Sequence, residues 1–256
     1  MTEVLDRPST TQPPRFGTLF SRLVAGGLVA GASAGVFSLL VTERAIAPAL
    51  DLEEARTAAE GAGHDHGEEL FTRGEQLVGG FLGTVLAGVV LAVVFAAVYG
   101  AVRHRLPGRS DFARVTVLAA VGFAVLALLP ALKIPANPPA VGDPDTVGTR
   151  TAIYGATLLC GVVAAVLVGV LVHALRARGV GVPGTAVAAV VASAVALALI
   201  LVLVPDNPDA ISSDVPAAVV WDFRLASLGQ LAVLWVGIGL AGGWFADRVT
   251  RGSQLR

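Results

Sequence analysis

The chain has 256 residues, 55 % hydrophobic and 14 % charged, with a mean hydropathy of +0.75 and a formal net charge of -1. A soluble domain carries about a quarter charged residues, so this composition excludes a soluble globular protein. Apolar runs of about 18 residues or more read as membrane helices, and the chain contains several, which predicts an all-α, polytopic integral membrane protein.

Residues 1–15 are polar, contain three prolines and are predicted as a disordered cytoplasmic tail. A first span is predicted over about 16–41. Ala45-Ile46-Ala47 resembles a signal-peptide cleavage site. The apolar run, however, exceeds the roughly 7–15 residues of a signal core, and Pro48 follows the supposed cut, so the helix is read as retained. Gly27, Gly31 and Gly35 form a small-residue stripe suited to close helix contact. An acidic, histidine-containing outer loop is predicted over 42–75.

The second span is predicted over about 76–101, with Gly79 and Gly83 as a similar stripe. A basic turn carries Arg103, His104, Arg105 and Arg109. The third span is predicted over about 113–131. The loop after it, with Lys133, Pro135, Asn137, Pro138, Pro139, Asp143 and Asp145, is rigid and non-helical, because each proline restricts itself and its predecessor. The fourth span (about 151–172) ends in a turn with His173, Arg176 and Arg178. The fifth (about 184–204) runs into Pro205-Asp206-Asn207-Pro208-Asp209. The sixth covers about 225–246, and 247–256 form a second cytoplasmic tail. Tyr99, Tyr154, Trp221 and Trp244 stand near span ends, as aromatic belts require.

Six spans put both termini and the turns after the second and fourth spans on one side. That side holds 12 of the 18 Lys and Arg residues but only Glu3, Asp6, Asp111 and Asp247 of the 19 acids. Basic residues favour the cytoplasmic face. The expectation is a multi-pass plasma-membrane protein with both termini cytoplasmic and the acidic loops outside.

Two outer loops share a pattern. Pro135-Ala136-Asn137-Pro138 leaves the third span and Arg150 enters the fourth, while Pro205-Asp206-Asn207-Pro208 leaves the fifth and Arg224 enters the sixth. The first pair of spans has only an echo, Pro48 and Arg73. This reads as a weak parallel repeat of three helical hairpins.

Metal-type ligands cluster in one stretch, from Glu60 through His64, Asp65, His66 and Glu68 to Glu69. Imidazole suits Co, Ni, Cu and Zn, and carboxylates add charge and oxygen ligands. His-x-His does not place both rings on one helix face, but an extended loop between glycines lets both reach one ion. His64, Asp65, His66, Glu68 and Glu69 are the candidate metal ligands. The alternative is a solvated acidic loop that binds nothing, since two histidines do not fill a coordination shell.

The spans contain almost no ionisable residue at mid-depth, where such residues mark ion paths. Acidic and polar candidates stand at the outer mouth: Glu75 and Gln76, Asp143 and Asp145, Asp206 and Asp209, Asp222. Glu75, Asn137, Asp143, Asn207, Asp206 and Asp222 are the expected vestibule, whose carboxylates would concentrate divalent cations. Arg73, Arg150 and Arg224 are expected as interfacial anchors or acid partners. No phosphate-binding loop, Gly-x-Ser-x-Gly or His-Glu-x-x-His motif occurs, so no enzyme is expected.

The order of features resembles the CbtA family of predicted cobalt transporter subunits. The matching stretches are Phe20-Ser21-Arg22-Leu23-Val24-Ala25-Gly26-Gly27, Gly63-His64-Asp65-His66-Gly67-Glu68-Glu69 and Leu77-Val78-Gly79-Gly80. Leu129-Pro130-Ala131-Leu132-Lys133-Ile134-Pro135 and Val204-Pro205-Asp206-Asn207-Pro208 follow. The resemblance implies uptake of cobalt, as substrate, feeding cobalamin synthesis; because nitrogen and oxygen sites bind nickel more tightly than cobalt, nickel is a second candidate substrate. The resemblance also implies a small His-tailed CbtB-like membrane subunit as partner, and a homo-oligomer is a further arrangement that would give a pore along its axis. The family is usually described with five spans, where this sequence reads as six. A non-transporting membrane scaffold or regulator with a solvated acidic loop is the competing reading.

Overall fold

A computed structural model describes residues 16–59, 72–139 and 141–254. Among the described residues there is no strand, and six helices are long and apolar enough to cross a membrane. The face of the bundle opposite Phe16 and Gln254 is the distal side.

The first helix begins as α1 (Phe16–Phe37), passes through a π-helical turn (Ser38–Thr42) and continues as α2 (Glu43–Ala59). At 1.5 Å per residue it is about 65 Å long, roughly twice the 30 Å hydrocarbon core of a bilayer. The apolar part ends near Thr42. Ala, Glu, Leu and Arg beyond it are strong helix formers, so the predicted loop over 42–75 starts as helix and α2 projects past the distal face. The candidate ligands His64, Asp65, His66, Glu68 and Glu69 lie outside the described residues.

The second crossing is α3 (Arg73–Val102). The third is α4 (Asp111–Phe123), a π-helical turn (Ala124–Leu128) and α5 (Leu129–Lys133). Pro130 has no N–H and its ring would strike the carbonyl four residues back. The π turn just before it re-phases the ladder, with the Leu129 N–H bonded to the Ala124 carbonyl. A short 3₁₀ turn (Pro144–Thr146) leads into α6 (Val147–Ala177), followed by α7 (Val182–Leu203). The last crossing is α8 (Ala217–Gly237), a third π turn (Ile238–Gly242) and α9 (Gly243–Gln254).

Lipid is as apolar as Leu, so helix association in a bilayer rests on close packing rather than on hydrophobic burial. α1 is the central helix, held between α3 and α8, and the sixth crossing also packs on α4. The predicted stripe on α1 makes this contact. A Cβ at Gly31 would stand 2.8 Å from the Val85 carbonyl oxygen, and one at Gly27 2.1 Å from the Ala92 Cβ. On the neighbouring face a Cβ at Gly26 would meet the Gly242 Cα at 2.5 Å, in the π turn of the sixth crossing.

The stripe predicted on the second span is corrected. Gly79 and Gly83 have no atom within 4 Å of an added Cβ, and Gly88 takes the contact, against Gly31. Nine residues separate Gly79 from Gly88, two and a half helical turns, so the two lie on opposite faces. Tyr99 is a second correction. It is fully buried rather than in a belt, and its hydroxyl donates to Asp111 Oδ1 at 2.6 Å. Tyr154, Trp221 and Trp244 remain exposed.

α6 and α7 pack on each other at the edge of the bundle. They present valines and leucines outward, among them Val166, Val170, Val190 and Val202. α7 thus lies chiefly on α6, while α8 lies on α1 and α4. Helix packing does not repeat from hairpin to hairpin; the likeness between the second and third pairs resides in their distal loops.

Candidate functional site

On the distal side the two Pro-x-Asn-Pro loops are fastened to each other, with Asp209 as the hub. Its side chain is 0 % exposed and its carboxylate accepts four bonds. The Asn137 Nδ2 donates to Oδ2 at 2.8 Å and Arg150 Nη1 to the same oxygen at 2.7 Å. The Asp143 backbone N–H donates to Oδ1 at 2.6 Å, and the Thr146 hydroxyl to Oδ1 at 3.4 Å. Two carboxylate oxygens offer about four lone-pair positions, so this set uses them all.

Local chain geometry builds the cradle. The Asp209 N–H donates to Asn207 Oδ1 at 3.1 Å, which turns the chain so that the carboxylate points at the opposite loop. Asp143 caps the 3₁₀ turn through the Asp145 N–H at 2.9 Å. Gly142 has φ +127°, and a Cβ there would come within 2.7 Å of Asp209 Oδ2. Both the backbone angle and the space require glycine at this position.

The fastening is reciprocal. Arg150, which enters α6, reaches Asp209 of the later loop. Arg224, on α8, reaches back to the earlier one, with Nη2 donating to Asn137 Oδ1 at 2.9 Å and Nε to the Ala136 carbonyl at 3.1 Å. Lys133 adds a third tie. Its side chain is 4 % exposed, and Nζ donates to the Leu201 carbonyl at 2.9 Å and to Asp206 Oδ1 at 2.6 Å.

Other distal acids are also paired. Arg73 bonds Glu43, and Arg56 Nη2 meets Asp214 Oδ2 at 2.7 Å, docking α2 onto the last loop. The Ser212 hydroxyl and Arg56 hold the Asp214 carboxyl below its ordinary range. Beneath the clasp, between the distal ends of the third, fourth and sixth crossings, is a cavity of about 640 Å³. Its walls are mostly apolar, with leucine and alanine the commonest residues, and Arg150, Arg224 and Asn137 stand at its distal rim.

A family model described as "Probable cobalt transporter subunit (CbtA)" matches residues 16–247, which takes in the helical bundle up to the first turn of α9, both distal loops and the stretch between α2 and α3. The chain belongs to the CbtA family. No curated protein and no solved structure matches it. As a family member it is a subunit of a metal-transport system in the membrane, and six of its helices, among the described residues, are long and apolar enough to cross.

In this CbtA-family chain the structure gathers Asn137, Asp143 and Asn207 around Asp209, with Asp206 nearby through Lys133. It does not bring in Glu75, which closes a capping box with Thr72 at the start of α3. Asp222 is exposed on α8. Arg73 and Arg150 are acid partners, as expected, whereas Arg224 binds a carbonyl and an amide. Among the described residues no three His, Cys, Asp or Glu side chains converge as a metal site. The hub itself, Asp209, was legible only as one acid among several at the mouth. The signal was its place directly after the second Pro-x-Asn-Pro, where an Asx turn aims it at the matching loop.

Proposed function

We propose that this chain takes up divalent cobalt into the cell, capturing the ion in the His64–Glu69 stretch on the outer face. The observation that carries the reading is the family match over residues 16–247, which includes that stretch. The bonding at the distal side supports it by subtraction. Asp206, Asp209, Asp214 and Glu43 are each bound to Lys or Arg, and a carboxylate bound by a cationic side chain is a poor cation ligand. His64 and His66, with Asp65, Glu68 and Glu69, are the sequence's remaining cluster of metal-type donors.

The charge asymmetry supports an outward distal side, with both termini cytoplasmic and the chain in the plasma membrane. Two imidazoles with carboxylates make a weak, exchangeable site, which suits a step that must release its ion. Asp209 and its partners act as a structural clasp that fixes the mouth rather than as ligands. The metal is cargo, the chain is not an enzyme, and cobalt feeds cobalamin synthesis. A small His-tailed CbtB-like subunit, or further copies of this chain, would complete the path. Affinity at nitrogen and oxygen sites rises from cobalt to nickel and copper, so nickel competes at capture.

Whole-cell uptake of radiolabelled cobalt with and without the chain tests this. Uptake that rises with the chain and falls when nickel is added is the expected result. Uptake equal in the two strains would favour the scaffold reading.

A further inference from the structure

We infer that the distal cavity is a seat for an anionic phospholipid of the distal leaflet, its phosphate held by Arg224 beside Arg150 and an acyl chain lying in the apolar groove below. The volume, about 640 Å³, falls in the roughly 300–1,000 Å³ range of small-molecule sites. The groove opens sideways to the bilayer, since Leu132, Tyr154, Trp221 and Leu225 on its walls are each more than a third exposed. Leu128 and Leu228, both only partly exposed, form the more sheltered lining.

Charge at the rim selects the occupant. Asp209 is neutralised by Arg150. Among the described residues Arg224 donates to the Ala136 carbonyl and the Asn137 amide oxygen, both neutral, so the rim keeps one positive charge that no described acid pairs. Arg150 Nε is buried with no partner among the described residues. Asp222 is two residues from Arg224, off its helix face, and does not line the cavity. A guanidinium binds phosphate in a planar, forked geometry.

Depth points the same way. Trp221 and Tyr154 flank the arginines, and exposed Trp and Tyr settle at headgroup level. The arginines therefore sit at phosphate depth, with leucines beneath them at acyl depth. A positive rim repels a divalent cation, so this cavity is distinct from the metal route of the proposed function.

Trp221 at the rim is a built-in reporter. The chain has three tryptophans; Trp235 is buried in the core and Trp244 is removed by Trp244→Phe. The full-length chain is reconstituted in phosphatidylcholine vesicles, and quenching is titrated with phosphatidylglycerol or phosphatidylcholine brominated on the acyl chain. Brominated phosphatidylglycerol is expected to half-saturate at about fivefold lower mole fraction, the effect of roughly one basic side chain on an anionic lipid. Arg224→Gln should erase that preference and Arg224→Lys should keep most of it. Leu228→Phe, which fills the groove, should weaken quenching by both lipids. Equal half-saturation for the two lipids in the parent chain would overturn the assignment. So would an unchanged preference in Arg224→Gln, or displacement of the brominated lipid by inorganic phosphate alone.

Discussion

Asn137 and Asp209 lie 72 positions apart and meet at 2.8 Å, the amide of one Pro-x-Asn-Pro loop donating to the carboxylate that follows the other. Asn207, the matching asparagine, holds the Asp209 backbone N–H at 3.1 Å. The two asparagines of the repeated motif thus act on one residue, from opposite sides. Their effects should be coupled: the Asn137→Ala, Asn207→Ala double variant should differ from the sum of the single losses in thermal stability by about 0.5 kcal/mol or more. Simple additivity in detergent-solubilised protein would count against the clasp.

Removing Asp209 should be costly because it strands a guanidinium. Loss of one partner of a buried ion pair costs roughly 3–5 kcal/mol, and a quarter-exposed Arg150 side chain places Asp209→Ala towards the lower end. Replacing both members, Arg150→Met with Asp209→Leu, should cost less than Asp209→Ala alone. A double variant that unfolds at a lower temperature than Asp209→Ala would contradict this.

Glycine substitutions separate packed from open faces. Gly31→Ala should lower the melting temperature sharply, because its Cβ would stand 2.8 Å from the Val85 carbonyl oxygen. Gly79→Ala and Gly83→Ala meet nothing within 4 Å and should be neutral or stabilising by up to about 1 kcal/mol, the helix-propensity gain. A destabilised Gly79→Ala would mean that this face is covered by a partner subunit.

Orientation is checked by thiol labelling in a Cys160→Ala background. Ala210→Cys should react with an impermeant reagent from outside, and Arg109→Cys should not. Arg109 is preferable to its neighbour Gly108, whose φ of +130° disfavours any side chain. Labelling of Arg109→Cys from outside would reverse the proposed topology.

Much of this architecture was written in the sequence, and what was missed has a physical cause. Uniform hydropathy marks six crossings but does not say which face of each is packed. Gly31 and Gly79 look alike in sequence, yet only one meets a neighbour. Tyr99 stands at a span end like Tyr154, and its burial follows from Asp111, a residue of the next helix. The prolines and asparagines of the distal loops announced rigid turns. That the turns interlock, Arg150 to Asp209 and Arg224 to Asn137, depends on how α6 and α8 bring separate loops together, which no local pattern encodes.

The most direct test measures cobalt uptake against cobalt concentration for the parent chain and for His64→Ala, His66→Ala. A capture site raises local occupancy without forming the barrier, so the double variant should need more cobalt for half-maximal uptake while its maximal rate holds. The parent should lose the advantage as pH falls below about 6.5, because only neutral imidazole binds metal. The carboxyl of Asp214 does not confound that range. Its value is held below the ordinary one, so the contribution of its link to Arg56 is complete above the ordinary carboxylate range and fades only as pH falls through the depressed value. Uptake at limiting cobalt that matches the parent would contradict capture by this stretch and leave it a solvated acidic loop.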